Sequence, residues 1–121
     1  MTTIKETALT FGQAIEAAKQ GKMIARAGWN GKNMFVFQRP EDNLDVYMVV
    51  EKVKSLPQSV KDYFRRVNPG TFIPNEEGAT VADATIKFLP YLCMKAADGS
   101  VVNGWLASQT DMLATDWDIV E

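Results

Sequence analysis

The sequence predicts an α+β fold: an N-terminal helix packed on an antiparallel β-sheet, with a largely helical and loop segment inserted in the middle. Three observations predict it. Near the N-terminus, "TFGQAIEAAKQG" repeats its apolar residues at helical spacing. Two turn dipeptides, Asn30-Gly31 and Asp98-Gly99, each lie between strand-forming runs. Between those two β-rich parts, residues 40–84 lose the strand pattern and admit helices and a Pro/Gly/Asn-dense loop.

Taken in order, the first element is the helix. Phe11, Ala14, Ile15 and Ala18 fall at i, i+3, i+4 and i+7, which puts them on one face. Thr10 is its N-cap, Gln13 stands in capping-box position, and Gly21 suits the left-handed stop. "KMIARAGWNGKNMFVFQ" then reads as a hairpin. A strand around Ile24 runs into Asn30-Gly31, where both residues tolerate the positive φ of a type I′ turn, and "MFVFQ" leads back. "DNLDVYMVVEKVKSL" and "PQSVKDYFRRV" both admit helices, the second opening at Pro57 in the favoured first turn. "NPGTFIPNEEGAT" has loop composition. "ATIKFLPYLCMKAADGSVVNGWL" returns to strands, with Pro90 marking an edge, a bend or a bulge and Asp98-Gly99 the second hairpin turn. "SQTDMLA" is a short helical turn capped by Ser108 or Thr110, and "DWDIVE" is a final strand. The expected organisation is a single domain of residues 1–121, made of a helix-hairpin over 10–39, an insertion over about 40–84 and a β-rich half over 85–121.

Composition then excludes several function classes. A chain of 121 residues with 46% apolar and 23% charged residues is ordinary globular material. Its net charge of −2 argues against a nucleic-acid polymer as partner, because such surfaces work by neutralising phosphates. The lone Cys93 allows no internal disulfide and no cysteine-rich zinc site, and suits a reducing cytoplasm. In its apolar strand it reads as a buried, inert thiol. No apolar run of membrane-spanning length or secretory h-region occurs, so no membrane is expected. The chain has no histidine, which removes the commonest general base and every His-containing metal set. It has no Gly-rich phosphate loop either. No catalytic residue, metal ligand set or cofactor is expected. The nearest exception is a carboxylate cluster of Asp111, Asp116 and Asp118. The plainer reading is that Asp116 terminates the preceding turn and Asp118 is solvated.

Binding chemistry finds more support. Trp29 lies at a hairpin tip beside Asn30, where an indole can stack on a base and the amide can pair with a base edge or hydroxyl. The alternative is that Trp29 folds over the sheet and Asn30 only makes the turn. Trp105 is followed by Ser108, Gln109, Thr110 and Asp111. A helix N-terminus there presents N–H groups to a phosphate, and Asp111 offers an acceptor to ribose hydroxyls. The alternative is a capped turn with Trp105 in the core. Trp117, in "DWDIV", reads as core. Positive charge near such a site comes from Arg26 in the first strand, or from Lys61, Arg65 and Arg66, which a solvated helix face explains equally well.

"FGQAIEAAKQGKMIARAGWNGKNMFVF" followed by "YLCMKAADGSVVNGWLASQTDMLATDWDIV" resembles the Thoeris anti-defence two family of small phage and prophage proteins. The likeness covers about residues 11–39 and 91–120, and is carried by the ordered set R-x-G-W-N-G, M-K-x-x-D-G and W-x-x-S-Q-x-D-x-L-x-x-D-W. Residues 40–90 are longer than the family pattern requires. The resemblance implies a molecular sponge acting in the host bacterial cytoplasm. Such a protein binds cyclic nucleotide immune signals, notably cyclic ADP-ribose isomers and in some members cyclic oligonucleotides, and holds them without cleavage. It also implies a homotetramer with pockets at subunit interfaces. Carried over by motif, the ligand-facing positions are Trp29, Asn30, Trp105, Ser108, Gln109, Thr110 and Asp111, with Arg26 and Arg65 as weaker candidates and Trp117 structural. A small interaction or scaffold protein without a nucleotide ligand, and an enzyme that degrades such a signal, are the competing readings.

Overall fold

The computed structural model describes residues 4–29, 33–69 and 84–121. In chain order the elements are β1 (Ile4–Leu9), α1 (Phe11–Lys19), β2 (Met23–Arg26), β3 (Phe35–Arg39), β4 (Asp42–Asp45), α2 (Val46–Glu51), α3 (Gln58–Val67), β5 (Thr85–Phe88), β6 (Tyr91–Lys95), β7 (Val101–Asn103), α4 (Gln109–Leu113) and β8 (Trp117–Val120). The α+β class is as the sequence predicts. The chain forms two compact units, one of residues 1–40 and 90–121, the other of residues 41–89.

The first unit is a six-stranded antiparallel sheet of order β1-β8-β2-β3-β6-β7 with α1 packed on one face. The helix forms where its periodicity placed it. The Thr10 side chain accepts from the Gln13 N–H and the Gln13 side chain accepts from the Thr10 N–H, so two orphan donors are satisfied reciprocally. Gly21 follows at φ 92°, a conformation that a Cβ penalises. The buried stripe of Ala14, Ala17 and Ala18 is small, so the helix lies close to the sheet and meets Ile24, Val36, Trp117 and Ile119. Ile24 pairs with both Val36 and Ile119, so the three side chains share one face.

Strand β8 lies between β1 and β2 and is buried along its whole length. This corrects the reading of Asp118 as solvated: that residue is 6% exposed. The strand has a neighbour on each side, and the residues of both its faces are buried. Strand β1 is not legible in the sequence, because five of its six residues are exposed and no alternation marks it. It pairs with β8 through register shifts between Ile4 and Leu9, with Ala8 at φ 58°.

In the first hairpin the β2–β3 ladder pairs Ile24 with Val36, β2 ends at Arg26 and β3 begins at Phe35. Asn30 and Gly31, on which the two-residue turn was expected, lie outside the described residues. The second hairpin is where Asp98-Gly99 put it. Gly99 has φ 93°, its N–H donates to the Ala96 carbonyl at 3.0 Å, and β6 pairs with β7 on either side. Cys93 is fully buried, and its thiol faces Asn103 Oδ1 at 3.4 Å.

In the second unit, β4 and β5 form a two-stranded antiparallel ladder and α2 packs on α3. The helix expected over "DNLDVYMVVEKVKSL" is confined to Val46–Glu51, since its first residues are strand β4. Asp45 caps it, its carboxylate accepting from the Met48 N–H at 2.6 Å. Val46, Val49 and Val50 are the buried side chains of that helix. Pro57 is the N-cap of α3, one position before the expected first turn. Pro90 lies in the break between β5 and β6. Most of the "NPGTFIPNEEGAT" segment lies outside the described residues.

Candidate functional site

Three elements of the first unit converge on Arg26. The β2–β8 ladder places Arg26 opposite Trp117, and continues one step further as the Ala27 N–H donates to the Asp116 carbonyl at 3.0 Å. That step brings the Asp116 carboxylate beside both the Arg26 guanidinium and the following backbone. Arg26 Nε donates to Asp116 Oδ1 at 2.8 Å, and the Gly28 N–H donates to Asp116 Oδ2 at 2.9 Å. From the other side α4 supplies Asp111, whose Oδ1 accepts from Arg26 Nη1 at 2.9 Å and from the Trp29 indole at 3.3 Å.

The short α4 is held in place by its own ends. Ser108 is its N-cap, and Ser108 and Asp111 form a reciprocal capping box at 3.1 and 3.2 Å. The Trp117 indole donates to the Asp111 carbonyl at 2.8 Å and ties the helix to β8. Asp111 therefore joins a helix cap, a guanidinium and an indole through one carboxylate. Capping by Ser108 decides between the two caps that the sequence offered.

Above this ion triad stand three tryptophans. Trp29, Trp105 and Trp117 meet edge to face in all three pairings, with ring centroids 5.4–6.4 Å apart. Trp117 is fully buried, as expected of a core residue, while Trp29 and Trp105 are half-buried and pack against the core. Trp29 is thus not a free ring at an exposed hairpin tip. Its N–H donates to the Arg26 carbonyl at 3.2 Å, and its indole lies against the other two. Trp105 is anchored by its N–H on the Leu92 carbonyl at 2.7 Å.

The electrostatics follow from these contacts. Hydrogen bonds from Arg26, aided by the Gly28 N–H, hold the Asp116 carboxyl below the usual carboxylate range. Burial pushes Asp111 up, but hydrogen bonds from Arg26, Ser108 and Trp29 outweigh it and hold the group down as well. Bonds to both acids push Arg26 higher still, so it stays charged. One cation between two carboxylates leaves a local net charge of −1. That balance disfavours Arg26 as a direct phosphate ligand, and the capping box fills part of the N–H set expected for a phosphate. Asp118 behaves oppositely: burial raises its carboxyl, and the nearby Asp116 charge adds to the effect. Among the described residues no group of three or more His, Cys, Asp or Glu is placed to hold a metal ion.

Of the candidates read from sequence, Arg26, Trp29, Trp105, Ser108 and Asp111 belong to one linked cluster. Gln109 and Thr110 are exposed on the first turn of α4 beside it. Asn30 lies outside the described residues. Arg65 belongs to the other unit, where it pairs with Glu51 at 2.6 Å. Two members were not among the binding candidates. Asp116 entered the sequence reading only in a possible carboxylate cluster or as a turn terminator, and Gly28 was given no role. A Cβ at Gly28 would stand 2.9 Å from Asp116 Oδ2, closer than real Cβ atoms come. Only the spacing R-x-G-W hinted at this.

Most of the chain is similar to a known family. The chain matches the Thoeris anti-defense 2-like domain over residues 9–120. A protein of Bacillus phage SP01 named Thoeris anti-defense 2 is 33% identical over 115 residues, covering 95% of this chain and 98% of that protein. The domain match runs across the middle segment that the sequence motifs left unaligned.

Proposed function

Because the chain belongs to the Thoeris anti-defense 2-like family, we propose that it is a phage anti-defence sponge that binds and sequesters cyclic nucleotide immune signals without cleaving them. The observation that carries this reading is the match over nearly the full length of both this chain and the phage relative. Cyclic ADP-ribose isomers are the first ligand class, and cyclic oligonucleotides the second. Sequestration takes place in the cytoplasm of the host bacterium. Among the described residues no helix is long and apolar enough to cross a membrane.

The site chemistry fits such a ligand. Trp29 and Trp105 offer half-buried indole surface for a base. Asp111 carries about four acceptor positions as a carboxylate. Arg26, Trp29 and Ser108 occupy three of them, which leaves Oδ2 able to accept from a ribose hydroxyl. Ser108, Gln109 and Thr110 add donors on the exposed side of α4. A sponge needs affinity and no general base, so a chain without histidine is suited to it.

We place the working site in a homo-oligomer, a tetramer by family likeness. Leu106 and Leu113, on either side of the α4 start, are 89% and 80% exposed, and Met112, Val101 and Val102 are exposed as well. Apolar side chains of that exposure suit cover by a second copy. Calorimetric titration with cyclic ADP-ribose isomers and cyclic di- and trinucleotides tests the reading. One member of the panel binds with saturable stoichiometry, and Trp29→Ala weakens it by the roughly 1–3 kcal/mol of a lost base stack. Unchanged affinity in a Trp29→Ala protein that still melts cooperatively removes Trp29 from the site.

A further inference from the structure

The chain leaves the sheet after β2 at one point, and a single residue on another part of the chain governs that point. Asp116 receives three consecutive residues: its Oδ1 accepts from Arg26 Nε at 2.8 Å, its carbonyl from the Ala27 N–H at 3.0 Å, and its Oδ2 from the Gly28 N–H at 2.9 Å. The next residue is Trp29, whose own N–H turns back to the Arg26 carbonyl at 3.2 Å. We propose that Asp116 is a positioning residue of the ligand site, fixing the backbone turn at residues 26–28 that sets the Trp29 ring against Trp105 and Trp117. The inference rests on the sponge reading for its binding consequence and on geometry alone for its structural one.

Two further observations support it. A Cβ at Gly28 would meet Asp116 Oδ2 at 2.9 Å, so a side chain there displaces the carboxylate from its present place. The Asp116 side chain also keeps 35% of its surface, whereas that of Asp111 keeps 14%. Removing the Asp116 carboxylate therefore opens little cavity in the core, and an effect on Trp29 is separable from an effect on folding. The two acids act on different parts of the same residue. Asp111 accepts from the Trp29 indole, while Asp116 holds the backbone that carries the ring. Arg26 links them as the shared cation and acts through them.

The test uses Asp116→Ala, Asp116→Asn and Gly28→Ala in the full chain, with ¹H–¹⁵N spectra and binding of whichever panel nucleotide the parent protein holds. In Asp116→Ala the Trp29 indole resonance moves and the Gly28 amide exchanges faster, while the protein still melts cooperatively. Affinity falls at least about tenfold with the salt dependence of Kd unchanged, because no ligand phosphate loses a partner. Asp116→Asn falls between, its amide oxygen keeping part of what the carboxylate accepts. Gly28→Ala acts in the same direction with every charge retained. Parent-like affinity in Asp116→Ala, or an unmoved Trp29 indole, overturns the proposal. If the parent protein binds nothing in the panel, the sponge reading fails instead, and the Trp29 indole alone decides whether Asp116 positions it.

Discussion

Arg26 has few side-chain donors to spare, because two carboxylates already claim its Nε and Nη1 atoms at 2.8 and 2.9 Å. Truncating it leaves two acids side by side with no cation. Arg26→Ala therefore destabilises the fold by on the order of 3 kcal/mol, below the upper range for buried pairs because Asp116 remains partly exposed. Urea denaturation of the two proteins at neutral pH measures this. The pH dependence has a definite sign. Asp111 and Asp116 are held below the usual carboxylate range, so their contribution is present at neutral pH and lost as acid carries the folded protein down through their depressed values. In Arg26→Ala the acid limb of the stability curve is correspondingly shallower. Asp118 has the opposite sign, since burial raises it: what it contributes is present at low pH and lost as pH rises.

At the scale of elements, local rules and tertiary contacts divide the structure between them. Helix α1 is specified locally by the Thr10–Gln13 box, its apolar stripe and Gly21. Thr10→Ala removes one arm of that box and lowers stability by about 1 kcal/mol, readable as a lower urea midpoint at unchanged slope. The turn at Gly99, the Ser108 cap of α4 and the core place of Trp117 were legible for the same reason: each depends on residues close in sequence or on simple burial. Strand β1 was not, because an exposed edge strand has no hydrophobic period to read. The course of the chain after β2 was not legible for a different reason: the Gly28 N–H is drawn to Asp116, a residue far along the chain. The candidate site was partly legible: its aromatics and Asp111 stood out by type. What no spacing revealed was that Asp111, Asp116 and Arg26 pair with one another, which depends on the β2–β8 ladder.

For the whole molecule, the two units carry different kinds of information. The unit of residues 1–40 and 90–121 holds the sheet, the tryptophan cluster and the ion triad. The unit of residues 41–89 lies within the family match and has its own ladder and helix pair. For a sponge the fate of the ligand matters as much as its affinity: the nucleotide is held and returned intact. A nanomolar Kd, about −12.3 kcal/mol, is within reach of stacked aromatics and several hydrogen bonds in a pre-formed site. The most direct test is to load the purified protein with cyclic ADP-ribose isomers, remove free ligand, heat-denature the protein and chromatograph what is released. Sequestration predicts stoichiometric recovery of the unaltered cyclic nucleotide. Recovery of a linear or otherwise converted product contradicts it, and makes the protein an enzyme that destroys the signal.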